Sequence, residues 1–272
     1  MKRTKNPAKE AEYRKRAADL VAQMTLHEKV SQMLSWAPAI ERLGIPAYNW
    51  WSEGIHGIGR AGTATVFPQA IGMAAAFDED MMEQVGNAVG VEARGKYNMC
   101  RAHGDRDIFK GLTVWAPNIN IFRDPRWGRG HETYGEDPFL TSRLGVRFVE
   151  GMQGDDPDYL QAAACAKHFA VHSGPESDRH HFNAIVSKQD LWETYLPAFR
   201  ALVKEAGVEA VMGAYNRTNG EPCCGSKTLL KDILRDKWHF DGHVTSDCWA
   251  IKDFHTGHMV TDGPVESVAL AV

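Results

Sequence analysis

Short apolar runs alternate along the chain with longer segments in which apolar residues recur at helical spacing. The predicted strands are Ala47–Trp51, Thr65–Phe67, Leu112–Ala116, Ala162–Lys167, Ala210–Tyr215 and His243–Ser246. The predicted helices that follow some of them are Glu79–Tyr97, Pro138–Met152, Leu191–Ala206 and Ser226–Trp238. Ahead of these, an amphipathic N-terminal helix is expected, and Thr25 and Glu28 have the spacing of a capping box. The alternation predicts a parallel α/β architecture.

The segments that directly follow the predicted strands are rich in charged, aromatic, Gly and Pro residues. They read WWSEGIHG, APNINIFRDPRWGRGHETYGEDP, KHFAVHSGPESDRHHF, YNRTNG and SDCW. In a (β/α)8 TIM-type barrel, reactive groups gather at the carboxyl ends of the strands. A doubly wound sheet shares this property, but no glycine-rich phosphate loop opens a helix here. We therefore predict a TIM-type barrel that is incomplete at the C-terminus, with about six strand–helix units where a closed barrel has eight.

Composition narrows the class of protein further. The chain has 272 residues, of which 43% are hydrophobic and 24% charged, as expected for a globular protein with a substantial core. A net charge of −4 gives no reason to expect nucleic acid or an anionic membrane as partner. The basic N-terminus lacks an apolar signal region, and the odd set of five cysteines contains no CxxC spacing. These features predict a reduced, cytoplasmic chain.

The stretch TSDCWAIKDF contains an acid, Asp247, directly after a predicted strand. Spacing alone favours a helix cap, since Asp often begins a helix. A strand end is also where a rigidly held carboxylate could attack a sugar, which would require a second acid to protonate the leaving group. The other acid of the stretch, Asp253, is predicted to be a surface or capping residue.

Two neighbouring features also allow more than one interpretation. Lys167 and His168 end a small-residue strand, where they either reach solvent or must find polar partners. His168 and His172 lie four apart, as zinc ligands on a helix do. However, Lys167 ends a strand and Gly174-Pro175 interrupts any helix, so no metal site is predicted.

Six motifs, in order and at suitable spacing, resemble glycoside hydrolase family 3, close to its β-xylosidase and β-glucosidase members. They are WWSEGIHG, VFPQAIGMAAAFD, WAPNINIFRDPRWGRGHETYGEDP, KHF, MGAYNRTNG and VTSDCWAI. The resemblance implies that residues 1–272 are the N-terminal barrel domain, in part, of a retaining exo-acting β-glycosidase. The expected substrate is an oligosaccharide or aryl β-glycoside with a terminal xylose or glucose, and no cofactor or metal is implied.

The resemblance also implies a role for particular residues. Asp247 matches the family's nucleophile in an SDxxA-type motif, and Tyr215 matches a tyrosine whose hydroxyl lies near it. The residues implied in glycone binding are Glu53, Arg129, Lys167, His168 and Arg179. Trp249 is expected to form an apolar wall of the sugar site. Arg126 and Asp124 are instead expected to pair with each other or with loop backbone.

No acid/base residue is assigned, because in this group of the family it comes from a second domain further along the chain. Three other functions remain open. A β-N-acetylhexosaminidase of the same family would take its acid/base from a loop His, which the KHFAVHSGPESDRHH segment only partly matches. The chain could also be a sugar-binding fragment without turnover, or a metal-dependent barrel hydrolase. The oligomeric state is not predicted.

Overall fold

A computed structural model describes residues 4–272. The strands are β1 (Trp36–Ala37), β2 (Tyr48–Asn49), β3 (Thr113–Val114), β4 (Ala163–Phe169), β5 (Asn183–Ala184), β6 (Ala210–Gly213), β7 (Arg217–Thr218), β8 (Glu221–Pro222) and β9 (His243–Ser246). The helices are α1 (Pro7–Gln23), α2 (Leu26–Ser31), α3 (Ala70–Ala74), α4 (Glu79–Ala102), α5 (Pro138–Gln153), α6 (residues 188–206), α7 (Lys227–Lys237), α8 (Asp253–Thr256) and α9 (Pro264–Ala271).

The central sheet is parallel, with the order β3-β4-β6-β9. Ser52 extends it at the β3 edge, because Ser52 pairs in parallel with Val114 and its carbonyl accepts from Trp115 N at 2.8 Å. Two small sheets flank it, an antiparallel β1–β2 pair and a β5-β7-β8 sheet. Parallel strands joined in chain order by helices form a half-barrel, which confirms the prediction of an incomplete TIM-type barrel.

The two faces of this sheet pack into different clusters. Val114, Ala164 and Val211 point outward and join a large core with the helices, α4 and α5 above all. The alternate positions point inward, where Trp115, Cys165, Ala210 and Met212 form a separate small cluster. The same alternation turns Lys167 toward the barrel interior, whereas an irregularity in the pairing of β4 with β6 between Lys167 and Phe169 leaves Phe169 in the outer core.

Local sequence explains the main outer helices. Asp78 and Asp137 cap α4 and α5 by accepting backbone N–H bonds from the first turn, and Pro138 occupies the first helical position of α5. The two helices approach so closely that a Cβ on Gly86 would lie 2.3 Å from the Phe148 carbonyl oxygen. Glycine is therefore required at this crossing.

The helix and strand predictions hold with two differences. The capping box of Thr25 and Glu28 is present at α2. Residues 65–67, predicted as a strand, form an extended loop outside any sheet, and Val66 is 76% exposed. The helix at residues 188–206 contains both α-helical and π-helical segments, and Lys227–Lys237 is π-helical. Among the helices of residues 4–272, none combines the length and apolar character needed to cross a bilayer.

Candidate active site

The predicted site residues come from separate loops, but they meet at the carboxyl edge of the parallel sheet. Lys167 and His168 lie near the end of β4, and Asp247 directly follows β9. Tyr215 lies two residues beyond β6, and Glu53 follows Ser52 at the other edge of the sheet. In parallel strands these ends share one edge, so residues distant in sequence become neighbours.

Asp247 is buried, with 7% of its surface exposed. Its Oδ1 accepts from Cys248 N at 2.7 Å, whereas Oδ2 is buried and has no hydrogen bond of normal geometry from any described residue. The next helix, α8, begins only at Asp253, so the interpretation of Asp247 as a helix cap is wrong. Burial raises the pKa of Asp247 above its ordinary value, although Arg129, the Cys248 N–H, Lys167 and the Tyr215 hydroxyl act in the opposite direction.

His168 is fully enclosed and its imidazole is fixed from both sides. Its Nδ1 lies 2.9 Å from Asn120 Oδ1, and its Nε2 lies 3.0 Å from Arg129 Nη1. Arginine can only donate, so Nε2 must accept and Nδ1 must carry the proton. Burial, with the nearby charge of Arg129 and the ring of His172, lowers the pKa of His168 well below its ordinary value. The ring is therefore neutral, and its 3.5 Å approach to Asp247 Oδ2 is not an ion pair.

Arg129 is held mainly by Glu132. Two bonds, Nε to Oε1 at 2.8 Å and Nη2 to Oε2 at 2.6 Å, form a bidentate pair within one loop. Burial acts to raise the pKa of Glu132, but the hydrogen bonds and charge of Arg129 outweigh it, so that pKa lies below its ordinary value. The remaining nitrogen, Nη1, lies 4.0 Å from Asp247 Oδ2. Arg129 thus places positive charge beside Asp247 without bonding it directly.

Lys167 and Glu53 form the second charged pair of the site. Lys167 is 3% exposed, and its Nζ lies 3.5 Å from Glu53 Oε2. Trp51 Nε1 donates to Glu53 Oε1 at 2.7 Å, and the Trp51 ring stacks on Trp115. The longer Lys167 contact leaves room for both groups to bond a polar ligand at once. Lys167 does not reach bulk solvent, contrary to the simpler interpretation of its strand-end position.

Tyr215 and Arg179 complete the cluster. Tyr215 is 7% exposed, and its hydroxyl faces Asp247. Burial raises the pKa of Tyr215, and the charge of Asp247 raises it further, so the phenol stays protonated. Arg179 lies over the Tyr215 ring, 6.0 Å from the ring centre, and forms an ion pair with Glu176. The structure therefore brings Arg179 against the ring of Tyr215.

Trp249 lies apart from this packed cluster. It is 79% exposed, has a left-handed backbone φ of 57°, and borders a cavity of about 660 Å³ that also reaches Asp247. Cys248, half-buried between them, packs against the small inward-facing cluster that contains Trp115. Trp249 is thus at the mouth of the cavity rather than among the charged groups, and its expected role as a sugar wall stays a prediction.

Two expectations concern the outer residues. Asp124 and Arg126 pair with each other, at 3.0 and 2.8 Å, as predicted. Asp253 is not a surface acid, because it is 7% exposed and its Oδ2 lies 2.8 Å from His180 Nδ1. Within residues 4–272, no group of three or more His, Cys, Asp or Glu side chains is arranged to hold a metal ion.

Sequence reasoning assigned no role to several residues that shape the site. Glu132 orients Arg129, Asn120 fixes the ring of His168, and Trp51 bonds Glu53. All three lie in the loops WWSEGIHG and APNINIFRDPRWGRGHE that follow predicted strands. A buried arginine needs a carboxylate partner, so the presence of Glu132 three residues after Arg129 could have indicated this pair from the sequence.

Comparison with known proteins decides the family. The model of the glycosyl hydrolase family 3 N-terminal domain matches residues 16–272. The chain belongs to glycoside hydrolase family 3. A xylan 1,4-β-xylosidase of Xylanibacter ruminicola is 50% identical over 263 residues, which are 95% of this chain and 30% of that protein.

Solved structures of the family superpose on this fold. A family 3 exo-β-xylosidase (XlnD), in complex with a xylobiose aziridine activity-based probe, has a TM-score of 0.86 and 35% identity, covering 94% of this chain and 34% of its own. The β-glucosidase DesR of Streptomyces venezuelae, in complex with D-glucose, has a TM-score of 0.72 and 35% identity, covering 89% and 30%. This chain spans about a third of the length of these relatives.

Proposed function

We propose that this chain carries the nucleophile and the glycone-binding groups of a retaining exo-acting β-glycosidase that releases terminal β-linked xylose. One observation carries the proposal. The buried Asp247 has one bonded and one unbonded carboxylate oxygen; the unbonded one lies near Arg129 and His168, and Tyr215 faces the carboxyl group. A carboxylate so held, with one oxygen free, suits attack on an anomeric carbon.

The reaction divides into two steps. Asp247 Oδ2 attacks the anomeric carbon as the bond to the leaving oxygen breaks, and an acid protonates that oxygen. Water then attacks the glycosyl ester, loses its proton to the same group, and frees Asp247 and the sugar. Positive charge on Arg129 and Lys167 favours the ionised form of Asp247 against the effect of burial, and the Tyr215 hydroxyl can bond the carboxylate as its charge changes.

The glycone hydroxyls have suitable partners on the other side. Lys167 and the guanidinium of Arg129 can donate, Glu53 can accept, and each already has a protein partner that fixes its direction. Donors that are held before substrate binds lose little entropy at the transition state. We assign Arg179 to the same function, because its guanidinium lies over the Tyr215 ring.

The proton donor is assigned outside this cluster. The two other carboxylates of the cluster, Glu53 and Glu132, are both engaged with basic side chains. A general acid needs a raised pKa, whereas that of Glu132 is lowered. Xylose rather than glucose is proposed because the most similar proteins include xylosidases by name, from bacteria and plants.

Covalent trapping tests the proposal. The full-length protein is incubated with a xylose-configured aziridine probe, whose ring opens when a carboxylate attacks it, and the labelled peptide is identified by mass spectrometry. We expect one label, on Asp247, with protection by xylose and no label in Asp247→Asn. A label on Glu53 or Glu132 would refute the assignment of the nucleophile.

Turnover of aryl glycosides tests the choice of sugar. This choice would be refuted if the protein hydrolysed 4-nitrophenyl β-glucoside, or the N-acetylglucosaminide, faster than the β-xyloside.

A further inference from the structure

A hydrogen bond joins two loops that flank the site but take no part in the chemistry proposed above. His180 Nδ1 lies 2.8 Å from Asp253 Oδ2. His180 belongs to the loop after β4, next to Arg179, while Asp253 is the first residue of α8, six residues beyond Asp247. We name this contact the His180–Asp253 bridge. Asp253 is buried and His180 is half exposed, so the carboxylate is the fixed end of the bridge.

The imidazole of this bridge packs on Tyr215. The His180 and Tyr215 ring centres lie 4.7 Å apart at 69°, an edge-to-face contact. His172 lies 6.1 Å from the same ring, and the Arg179 guanidinium lies 6.0 Å from it. The Tyr215 ring is thus enclosed by the loop after β4, and its hydroxyl end faces Asp247. Any movement of this loop would change the angle at which the hydroxyl meets the carboxylate.

Further contacts hold the loop against α8 and restrict that movement. His181 Nδ1 lies 3.2 Å from the Gly257 carbonyl oxygen, and Arg217 Nη2 donates to the His181 carbonyl at 3.1 Å. A Cβ on Gly257 would lie 2.1 Å from the His180 carbonyl oxygen, so the two backbones are in direct contact. Of the bonds described here between this loop and α8, only the His180–Asp253 bridge joins a buried carboxylate to a ring that packs on Tyr215.

We propose that the His180–Asp253 bridge is a positioning element that sets the orientation of the Tyr215 hydroxyl on Asp247, and so acts on the attack step rather than on sugar binding. The inference rests on the proposed function, since it assigns Asp247 as the nucleophile. His180 and Asp253 act through Tyr215 and are not themselves catalytic residues.

Two substitutions of His180 separate its ring from its bond. His180→Phe keeps an aromatic ring on Tyr215 but cannot bond Asp253. His180→Asn keeps a side-chain N–H near the position of Nδ1 but lacks the ring. In the full-length protein we expect His180→Phe to lower kcat about tenfold, as a small misplacement of a group at the reacting centre would. KM should stay within about twofold of the wild type. His180→Asn should stay within about threefold of the wild type.

A double-mutant cycle asks whether the bridge acts through Tyr215. Tyr215→Phe removes the hydroxyl, so adding His180→Phe to that variant should lower kcat by less than about a further twofold. Asp253→Ala should behave like His180→Phe, and Asp80→Ala, which removes an exposed acid paired with Arg147, should have no effect. The proposal is overturned if His180→Phe lowers kcat equally with and without the Tyr215 hydroxyl, or if it changes KM alone. It is also overturned if His180→Asn and His180→Phe are equally impaired.

Hydrogen exchange supplies a readout that does not depend on turnover. In His180→Phe, amides of residues 176–182 and 253–258 should exchange faster, while His180→Asn and Asp80→Ala should match the wild type. Unchanged exchange in His180→Phe would overturn the bridge itself. If the wild type neither turns over a β-xyloside nor takes up the aziridine probe, the proposed function fails, and faster exchange would then support only a structural contact.

Discussion

The two sides of the strand-end cluster differ in how completely their polar atoms are bonded. On the β4 side, Arg129 and His168 are fixed by Glu132 and Asn120, with bonds of 2.6 to 3.0 Å. On the β9 side, Asp247 keeps one buried oxygen without a bonded partner among the residues described. A fixed side suits recognition, whereas an unbonded carboxylate costs stability and leaves a lone pair for reaction.

This difference also explains the position of Glu132. Arg129 Nη1 lies 4.0 Å from Asp247 Oδ2, close enough to bond after a small shift. The bidentate contact with Glu132 and the bond from Nη1 to His168 hold the guanidinium back, so that Arg129 contributes charge but does not bond the oxygen that we propose as the nucleophile. Glu132 thus separates the bonded side of the cluster from the reactive one.

The largest effect is expected at the unbonded oxygen. In the full-length protein, Asp247→Ala should lower kcat on 4-nitrophenyl β-xyloside by at least about 10⁴-fold, the scale seen when a hydrolase loses its nucleophile. Circular dichroism should remain native, because the residue ends a strand and caps no helix. Activity within about tenfold of the wild type would show that another group is the nucleophile.

The next effect is expected where the two sides meet. Glu132→Gln should lower kcat/KM by about 10²-fold, because the freed guanidinium moves onto Asp247. Breaking this buried pair should also lower the free energy of unfolding by about 3 kcal/mol. The matched control is Asp124→Asn, which breaks an Asp–Arg pair of similar geometry in the same loop, where Arg126 is largely exposed.

Kinetics and thermal denaturation of both variants check this prediction. Asp124→Asn should retain activity and nearly all of the stability. Equal losses in the two variants would mean that the loop, rather than the separation of Arg129 from Asp247, controls the rate.

A smaller effect concerns pH. Since burial raises the pKa of Asp247, kcat/KM should fall as pH decreases through that raised value, where the nucleophile becomes protonated. Because the fold disfavours the charged carboxylate, ionised Asp247 lowers the free energy of unfolding at pH values above its raised pKa. Below the ordinary pKa of an aspartate, the carboxyl is protonated in both the folded and the unfolded state, and this loss disappears. Asp247→Asn should therefore raise Tm near pH 7, and the difference should vanish in acid. An unchanged or lower Tm at pH 7 would contradict the burial argument.

The smallest effect is expected at Trp249, at the mouth of the cavity. It is 79% exposed and lies outside the bonded cluster. Trp249→Ala should change kcat/KM on 4-nitrophenyl β-xyloside by less than about threefold, since a solvated side chain loses little on truncation. Steady-state kinetics on this substrate checks the expectation. A loss of about 30-fold or more would instead place the indole against the xylose ring, as the sequence led us to expect.

Sequence alone predicted the half-barrel and the edge on which the site lies, because strand ends are marked by abrupt changes from apolar to polar residues. It failed where the deciding partner is distant. Asp253 was predicted to be a surface or capping acid, yet it is buried and bonds His180 from another loop. Residues 65–67 have the composition of a strand but no neighbour to pair with in the sheet.

The order of the strands has a consequence for synthesis. In the sheet β3-β4-β6-β9, every strand bonds to the one that precedes it in this series, and each leaves a free edge for the next. The sheet can therefore grow in the direction in which a ribosome delivers the chain, without waiting for distant segments. On this route Lys167 and His168 of β4 can meet their partners from earlier loops before Asp247, which directly follows the last of these strands, emerges.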